Sequence, residues 1–236
     1  MGDSRLRRVS WMLLVPAAVA GLAACSGGGS QSGTSATAAS KAESGGFSGS
    51  DLKGALLTKV NGVGSVKSAS TGTYAALAAA TMGKSSGGSM SVTPKACSSA
   101  PTQGFVPAGL SGAEAAAVSF NVSGNSVSEV LIGSSAASAA TALPGKVSVK
   151  CASYQEKAGG KTVTYGLTEK TVTGIGKQAE ELNVRSGSPG PGNLWSMIYR
   201  GTGFVGTVTV AGPNASEAAV RELAQQSYAF AAKSLS

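Results

Sequence analysis

Residues 194–209 constrain the fold more than any other part of the chain. Two runs rich in β-branched and aromatic residues, 194–200 and 204–209, flank a glycine-rich break, the pattern of a β-hairpin. A two-residue turn at Gly201 and Thr202 pairs Tyr199 with Phe204, Met197 with Gly206 and Trp195 with Val208. Trp195, Met197, Tyr199, Phe204 and Val208 then share one face, which is expected to be core. Leu194, Ser196, Ile198, Arg200, Val205, Thr207 and Thr209 make a more mixed opposite face. A lone hairpin is marginal in water and needs a partner layer. The chain offers one at its end, a helix announced by Pro213 and capped by Asn214, with Glu217 three residues on completing a capping box. Its apolar stripe is Val220, Leu223, Ser227, Phe230 and Ala231, with Arg221, Glu222, Gln225, Gln226 and Lys233 turned away. One amphipathic helix and an antiparallel sheet give an α+β layered domain.

Upstream, 117–122 and 127–132 read as two strands joined at residues 123–126, and the alanine-rich stretch 135–143 reads as a helix ending at Pro144 and Gly145. Strands follow at 162–168 and 179–185, separated by a turn at 174–176. The sheet therefore has about six strands, packed against the alanine-rich helix and the C-terminal helix. The stretch 51–95 is cut by Gly62, Gly64, Gly83, Gly87 and Gly88. There Asp51 is read as the cap of a short helix through Leu52, Leu56 and Leu57, and Thr73 as the cap of another running from Tyr74 to Met82.

The N-terminus reads as an export signal. Arg5, Arg7 and Arg8 precede an apolar run over 9–20, too short to span a bilayer as a mature helix. Leu22, Ala23, Ala24 and Cys25 close it and resemble the lipobox of bacterial lipoproteins, which implies that Cys25 is acylated and becomes the first residue after cleavage. An ordinary signal with a chance cysteine is the alternative. The twin Arg7-Arg8 fits Sec export better than Tat, because Val9, Ser10 and Trp11 match the Tat pattern poorly.

Residues 26–46, almost all Gly, Ser, Thr and Ala, bury too little apolar surface to offset their ordering entropy. As a flexible tether they would span about 25 Å. The organisation expected is thus a signal over 1–24, Cys25 with its linker over 25–47, and one domain over 48–236.

The whole chain carries a formal +8; removal of three arginines and Asp3 with the signal leaves +6. Such an excess suits a surface facing anionic lipid headgroups or anionic wall polymers, and equally keeps a protein soluble. The lysines are dispersed with few aromatics between them, so no nucleic-acid footprint emerges. With Cys25 assigned to lipid, Cys97 and Cys151 remain as a pair in an oxidising compartment, where a disulfide is the default and two free thiols the alternative. A loop of that length stabilises by roughly 4 kcal/mol in the chain-entropy account.

Histidine is absent from the sequence, which removes Ser-His-Asp and Cys-His machinery and HExxH zinc sites. Residues 201–206 match GxGxxG, but the chain continues as a strand where a dinucleotide fold needs a helix, so hairpin glycines explain the match. Ser50 and Lys53 form an SxxK, followed by Ser123-Gly124-Asn125 and Lys161-Thr162, a series that resembles penicillin-recognising enzymes. Val163 stands where that series has glycine, and Ser50 sits at the exit of the linker, so chance explains it better. Glu180 and Glu181 are adjacent in a strand and point to opposite faces. Trp195 and Tyr199 read as core ahead of ligand-lining residues.

From about Val92 to the C-terminus the order of features resembles the extracytoplasmic sensor domain of actinobacterial receptor kinases of the PknH type and their related lipoproteins. It rests on the early Cys97, a strand pair, an alanine-rich helix leading into Cys151, Ala152, Ser153 and Tyr154, four further strands and a closing helix. The resemblance implies a ligand-binding or sensing domain with a groove between sheet and helices, and no enzyme. It departs in having one cysteine pair where the kinase sensors have two, and in lacking a kinase domain. The expectation is a monomeric, non-enzymatic envelope protein, lipid-anchored through Cys25 on the extracytoplasmic face, needing no cofactor or metal. Its partner would be an envelope ligand or an anionic wall polymer. The proline-glycine loop 186–193, with Pro189, Pro191 and Asn193, is expected at the rim of its groove. A serine acyl-enzyme and a lipid carrier with a large apolar cavity are the alternatives.

Overall fold

The computed structural model describes residues 46–58, 69–82, 91–97, 109–143, 149–158, 160–187 and 193–236, all within one compact unit, Thr34–Ser236. Nine described strands form a single antiparallel sheet. They are β1 (Ala69–Thr73), β2 (Ser91–Thr93), β3 (Glu114–Val122), β4 (Asn125–Gly133), β5 (Ser153–Ala158), β6 (Lys161–Val172), β7 (Gln178–Ser186), β8 (Asn193–Arg200) and β9 (Phe204–Gly212), in spatial order β1-β3-β4-β9-β8-β7-β6-β5-β2. The described helices are α1 (Gly49–Gly54), α2 (Tyr74–Met82), α3 (Ala136–Ala142) and α4 (Glu217–Ser234).

The six expected strands are β3, β4 and β6 to β9. The three additional ones lie at or next to the edges of the sheet. β1 is a small-residue, glycine-containing pentapeptide, β2 has three residues, and β5 is mostly polar, so none carries the apolar alternation that marks a strand in sequence. Their partners make them strands: β1 lies against β3 with Ala69 opposite Val118, and β2 against β5 with Val92 opposite Glu156.

The hairpin register differs from expectation by two residues. Tyr199 faces Gly206, Met197 faces Val208 and Trp195 faces Val210, with Thr202 and Gly203 at the tip and Gly201 N bonded to Phe204 O at 2.9 Å. Gly203 supplies the left-handed φ of 77° that this turn requires. A two-residue slip preserves faces, so all five expected side chains still point into one core. The register is set by ring volume: a Cβ on Gly206 would sit 2.2 Å from the Tyr199 ring, and one on Gly201 would sit 2.2 Å from the Phe204 ring. The GxGxxG glycines thus make room for aromatics.

Capping also differs in detail. α4 is capped by Ser216, which accepts from Ala219 N. Asn214 instead fastens the helix entry to the β3–β4 turn, its N–H donating to Asn125 Oδ1 at 3.0 Å and its side-chain amide to Ser123 O at 3.2 Å. Asp51 is the third residue of α1; Ser48 is the cap, and the two close a capping box. Thr73 Oγ1 accepts from Ala76 N at the start of α2, as expected, and Ser135, read as the first residue of the alanine-rich helix, is the cap of α3. In α4 the buried stripe is Val220, Leu223, Ala224, Ser227 and Ala231, and Phe230 is exposed.

The sheet has a near face, which carries α4 and α1, and a far face. On the near face Leu52, Leu56, Val118, Leu131, Met197, Tyr199, Phe204, Val208 and Val220 make the main core. On the far face α2 and α3 cover Ala115, Ile132, Ile198 and Val205. Farther across the far face, Tyr154, Leu167, Leu182 and Val184 pack beneath Cys97 and Cys151. Those cysteines form a disulfide, Cα–Cα 5.5 Å, that ties two short 3₁₀ turns, Lys95–Cys97 and Val149–Cys151.

Candidate functional site

Three near-face places concentrate chemistry. The first is buried. Strand alternation places Glu129 of β4 between Val127 and Leu131 on the core face, where it is 0% exposed. Its Oε1 accepts from the Ser227 hydroxyl of α4, and its Oε2 accepts from Leu57 N, just after α1, at 2.8 Å. The Tyr199 hydroxyl bonds Ser227 Oγ. Ser227 has one proton, and Glu129 takes it, so Tyr199 donates to Ser227. Burial pushes the Glu129 carboxyl up to about 7, with the bonds from Ser227 and Leu57 pulling the other way. Burial, and then the nearby Glu129 charge, raise Tyr199 well above the ordinary phenol range. A serine beside a carboxylate is a nucleophile-and-base pair in outline. Here both groups are fully buried, so the chain of bonds joins β4, β8, α4 and the segment after α1 within the core.

The second place is an ion cluster at the flank of α4. The buried Glu181 of β7 receives Arg221 Nε of α4 at 2.9 Å and Lys170 Nζ of β6 at 3.2 Å, while Glu217 of α4 receives Lys170 at 2.6 Å and Arg221 Nη2 at 3.1 Å. The bond to Glu217 leads in raising the Lys170 pKa, and the reciprocal contact lowers that of Glu217. Three of the four groups are more than a third exposed and contribute little singly; the cluster's role is to neutralise the buried Glu181. Arg221, expected to point away from the sheet, reaches back to it. Glu180, beside Glu181, faces the far side of the sheet, as the alternation requires.

The third place is a shelf. α4 rests on β8 and β9, and the near face of β7 stays buried at Ala179, Glu181 and Asn183; beyond them, among the described residues, the near face is exposed at Arg185, along β6 from Thr162 to Thr168 and across β5 and β2. Strand register puts Arg185, Thr162, Thr164, Gly166, Thr168, Ser153, Gln155, Lys157, Ser91 and Thr93 there, and all but the half-buried Gly166 are exposed. Of the acidic residues of these four strands, Glu156, Glu169 and Glu180 alternate onto the far face, which leaves the neutralised Glu181 as their single near-face carboxylate.

The residues singled out in the sequence fall unevenly on this frame. Cys25, Pro189 and Pro191 lie outside the described residues. Asn193 is exposed at the start of β8, opposite Gly212, and β7 ends at Ser186, next to Arg185. Trp195 and Tyr199 belong to the core. The three parts of the penicillin-enzyme series are not brought together. Ser50 lies on α1, bonded to Ser48 Oγ at 2.7 Å, with its neighbour Gly49 against Glu114 and Thr71. Ser123 lies in the β3–β4 turn at the other end of those strands, and Lys161 starts β6, four strands from β4 and so about 19 Å away across the sheet. Among the described residues no cluster of three or more His, Cys, Asp or Glu forms a metal site, and no helix is long and apolar enough to cross a membrane.

No protein-family profile matches the chain, and no curated protein sequence does. Among solved structures it is similar to the extracellular domain of PknH from Mycobacterium tuberculosis, at 11% identity and a TM-score of 0.47, over 79% of this chain and 95% of that one. It is also similar to an uncharacterised Mycobacterium smegmatis protein, the Rv0999 ortholog, at 15% identity and a TM-score of 0.40, over 61% of this chain and 76% of that one. At these values neither carries a residue or a function across.

The sequence reading missed Glu129 and Ser227 as a pair. One signal was available for each: a lone carboxylate at the apolar parity of a strand, and a serine inside an apolar helical stripe. Nothing local indicated that they meet, because 98 residues separate them.

Proposed function

We propose that this chain is a non-enzymatic binding domain of the cell envelope, tethered through acylated Cys25 and a flexible linker, whose binding surface is the near-face shelf beside α4. The observation that carries the reading is the asymmetry of the β6-β5-β2 part of the sheet and the Arg185 end of β7. Its far face is packed and crossed by a disulfide, while its near face is exposed among the described residues, hydroxyl-rich and walled by a helix that an ion cluster holds in place. A rigid sheet offering many hydrogen-bonding side chains without a reactive group among them suits recognition. The loop carrying Pro189, Pro191 and Asn193 borders this shelf in the proposal.

The serine-hydrolase alternative loses its support with the separation of Ser50, Ser123 and Lys161 and with the burial of Ser227. The lipid-carrier alternative requires an apolar cavity, whereas large side chains such as Met197, Tyr199 and Phe204 occupy the space between α4 and the sheet. The deciding experiment incubates the mature protein with fractionated envelope polymers and with a fluorescent penicillin and a fluorophosphonate. Retention of a polymer whose mass stays unchanged, without covalent labelling, is the expected result. Turnover of the polymer, or a label lost in Ser50→Ala or Ser227→Ala, would replace binding with catalysis.

A further inference from the structure

Within the shelf, one position differs from its neighbours. The near-face side of β6 runs Thr162, Thr164, Gly166, Thr168, so a threonine ladder is interrupted by a residue without a side chain. A Cβ built on Gly166 would meet nothing within 4 Å, and its φ is not in the left-handed region, so neither crowding nor backbone conformation demands glycine there. The gap is a notch. In register it lies between Ser153 of β5 and Arg185 of β7, with Thr164 and Thr168 above and below it along the strand. Arg185 is held in place: its Nε donates to Asn183 Oδ1 at 2.6 Å, and buried Asn183 is itself fixed by donating to Leu194 O at 3.1 Å. Among the described residues, that arrangement commits one guanidinium nitrogen to the protein and leaves the planar fork of the Nη groups for an oxyanion.

We propose that the Gly166 notch is a subsite for an anionic group, gripped by Arg185 and flanked by the hydroxyls of Ser153, Thr164 and Thr168, and that its ligand is an anionic polyhydroxylated polymer. The inference rests on the reading of the chain as a binding domain and specifies what the shelf binds. Charge selects the sign: outside the ion cluster, Arg185 and Lys157 are the exposed cations of these strands on the near side, and of their carboxylates only Glu181, neutralised by Lys170 and Arg221, shares that side. Distance selects the size. Lys157 lies two strands and four residues from Arg185, about 17 Å, farther than a small anion can bridge. The intervening hydroxyls match the hydroxyls of a polymer backbone, and an extended, flat array fits a chain better than a compact headgroup.

The test uses the mature protein and titrates it with sodium alginate as a polyuronate, with neutral dextran, and with phosphatidylglycerol vesicles. Alginate should bind in a salt-sensitive manner, and dextran and vesicles at least tenfold more weakly. Arg185→Gln should weaken alginate binding tenfold or more, Gly166→Leu by a similar factor, and Lys157→Gln two- to fivefold, all with unfolding midpoints near that of the parent. Equal binding by Arg185→Gln and Gly166→Leu, or preference for dextran or vesicles, would overturn the subsite. If alginate fails while another polymer is retained away from Arg185, the subsite falls and the binding-domain reading stands.

Discussion

The two halves of the sheet are built from the same strand pairing and differ in what covers them. Around β4, β9 and β8 both faces are packed, α1 and α4 on one side and α2 and α3 on the other. Across β5, β2, most of β6 and the Arg185 end of β7, one face is packed and crossed by a disulfide, and the other is exposed among the described residues. Polar groups follow that division. In the doubly covered half the polar side chains Glu129, Ser227 and Tyr199 satisfy one another. In the half-covered one, hydroxyls and cations face solvent. The lesson is that residue type alone does not mark a site: the serine and carboxylate that look reactive are structural, and the threonines that look inert line the accessible surface.

Perturbing the cross-link of the half-covered region should have the largest effect. Replacing Cys97 and Cys151 by Ser removes a link across 54 residues and should cost about 4 kcal/mol in a urea unfolding series. A loss under about 1 kcal/mol would mean that the packing beneath the disulfide stands without it. Next comes the doubly covered half. Met197→Ala truncates a fully buried side chain and should cost about 3 kcal/mol, whereas Thr164→Ala on the shelf should stay within about 0.5 kcal/mol. Similar costs at both positions would erase the contrast between the halves.

Much of this architecture is legible in the sequence. The strongly alternating strands β3, β4 and β6 to β9, the helix α4 and the cysteine pair all follow from local patterns and compartment. β1, β2 and β5 do not, because their residues become strands by lying against a neighbour. The central pairing of β4 with β9 is equally invisible: Val127 meets Val210 through a contact between distant segments, which no local periodicity encodes. Face assignment survived the hairpin's register error because a shift of two residues restores the same parity, and this is why the core face of β8 and β9 was legible while their cross-strand partners were not. The shelf was legible only as an alternation of threonines. That it is uncovered depends on where α4 ends up, which is tertiary information.

A further effect concerns pH. With the Glu129 carboxyl at about 7 in the folded protein and near 4.5 when unfolded, the folded state keeps a proton that the unfolded chain has released between those values. The contribution of Glu129 is therefore most stabilising below about 4.5, falls as pH rises toward 7 and is level above it. Asp51 and Glu217, both lowered, act in the opposite sense at more acidic pH, below this window. Glu129→Gln should flatten the slope of stability between pH 5 and 7. An unchanged slope would place the titrating group elsewhere.

The most direct test of the contrast is thiol accessibility. In a Cys25→Ser background with the disulfide intact, single substitutions Thr164→Cys and Ser227→Cys are exposed to a maleimide under native conditions. The account predicts that Thr164→Cys reacts at the rate of a free thiol, while Ser227→Cys reacts only as fast as the protein unfolds. Rapid native labelling at Ser227→Cys, in a variant whose unfolding midpoint matches that of the parent, would reveal a path to the Glu129 network. It would contradict the assignment of that network to the closed core.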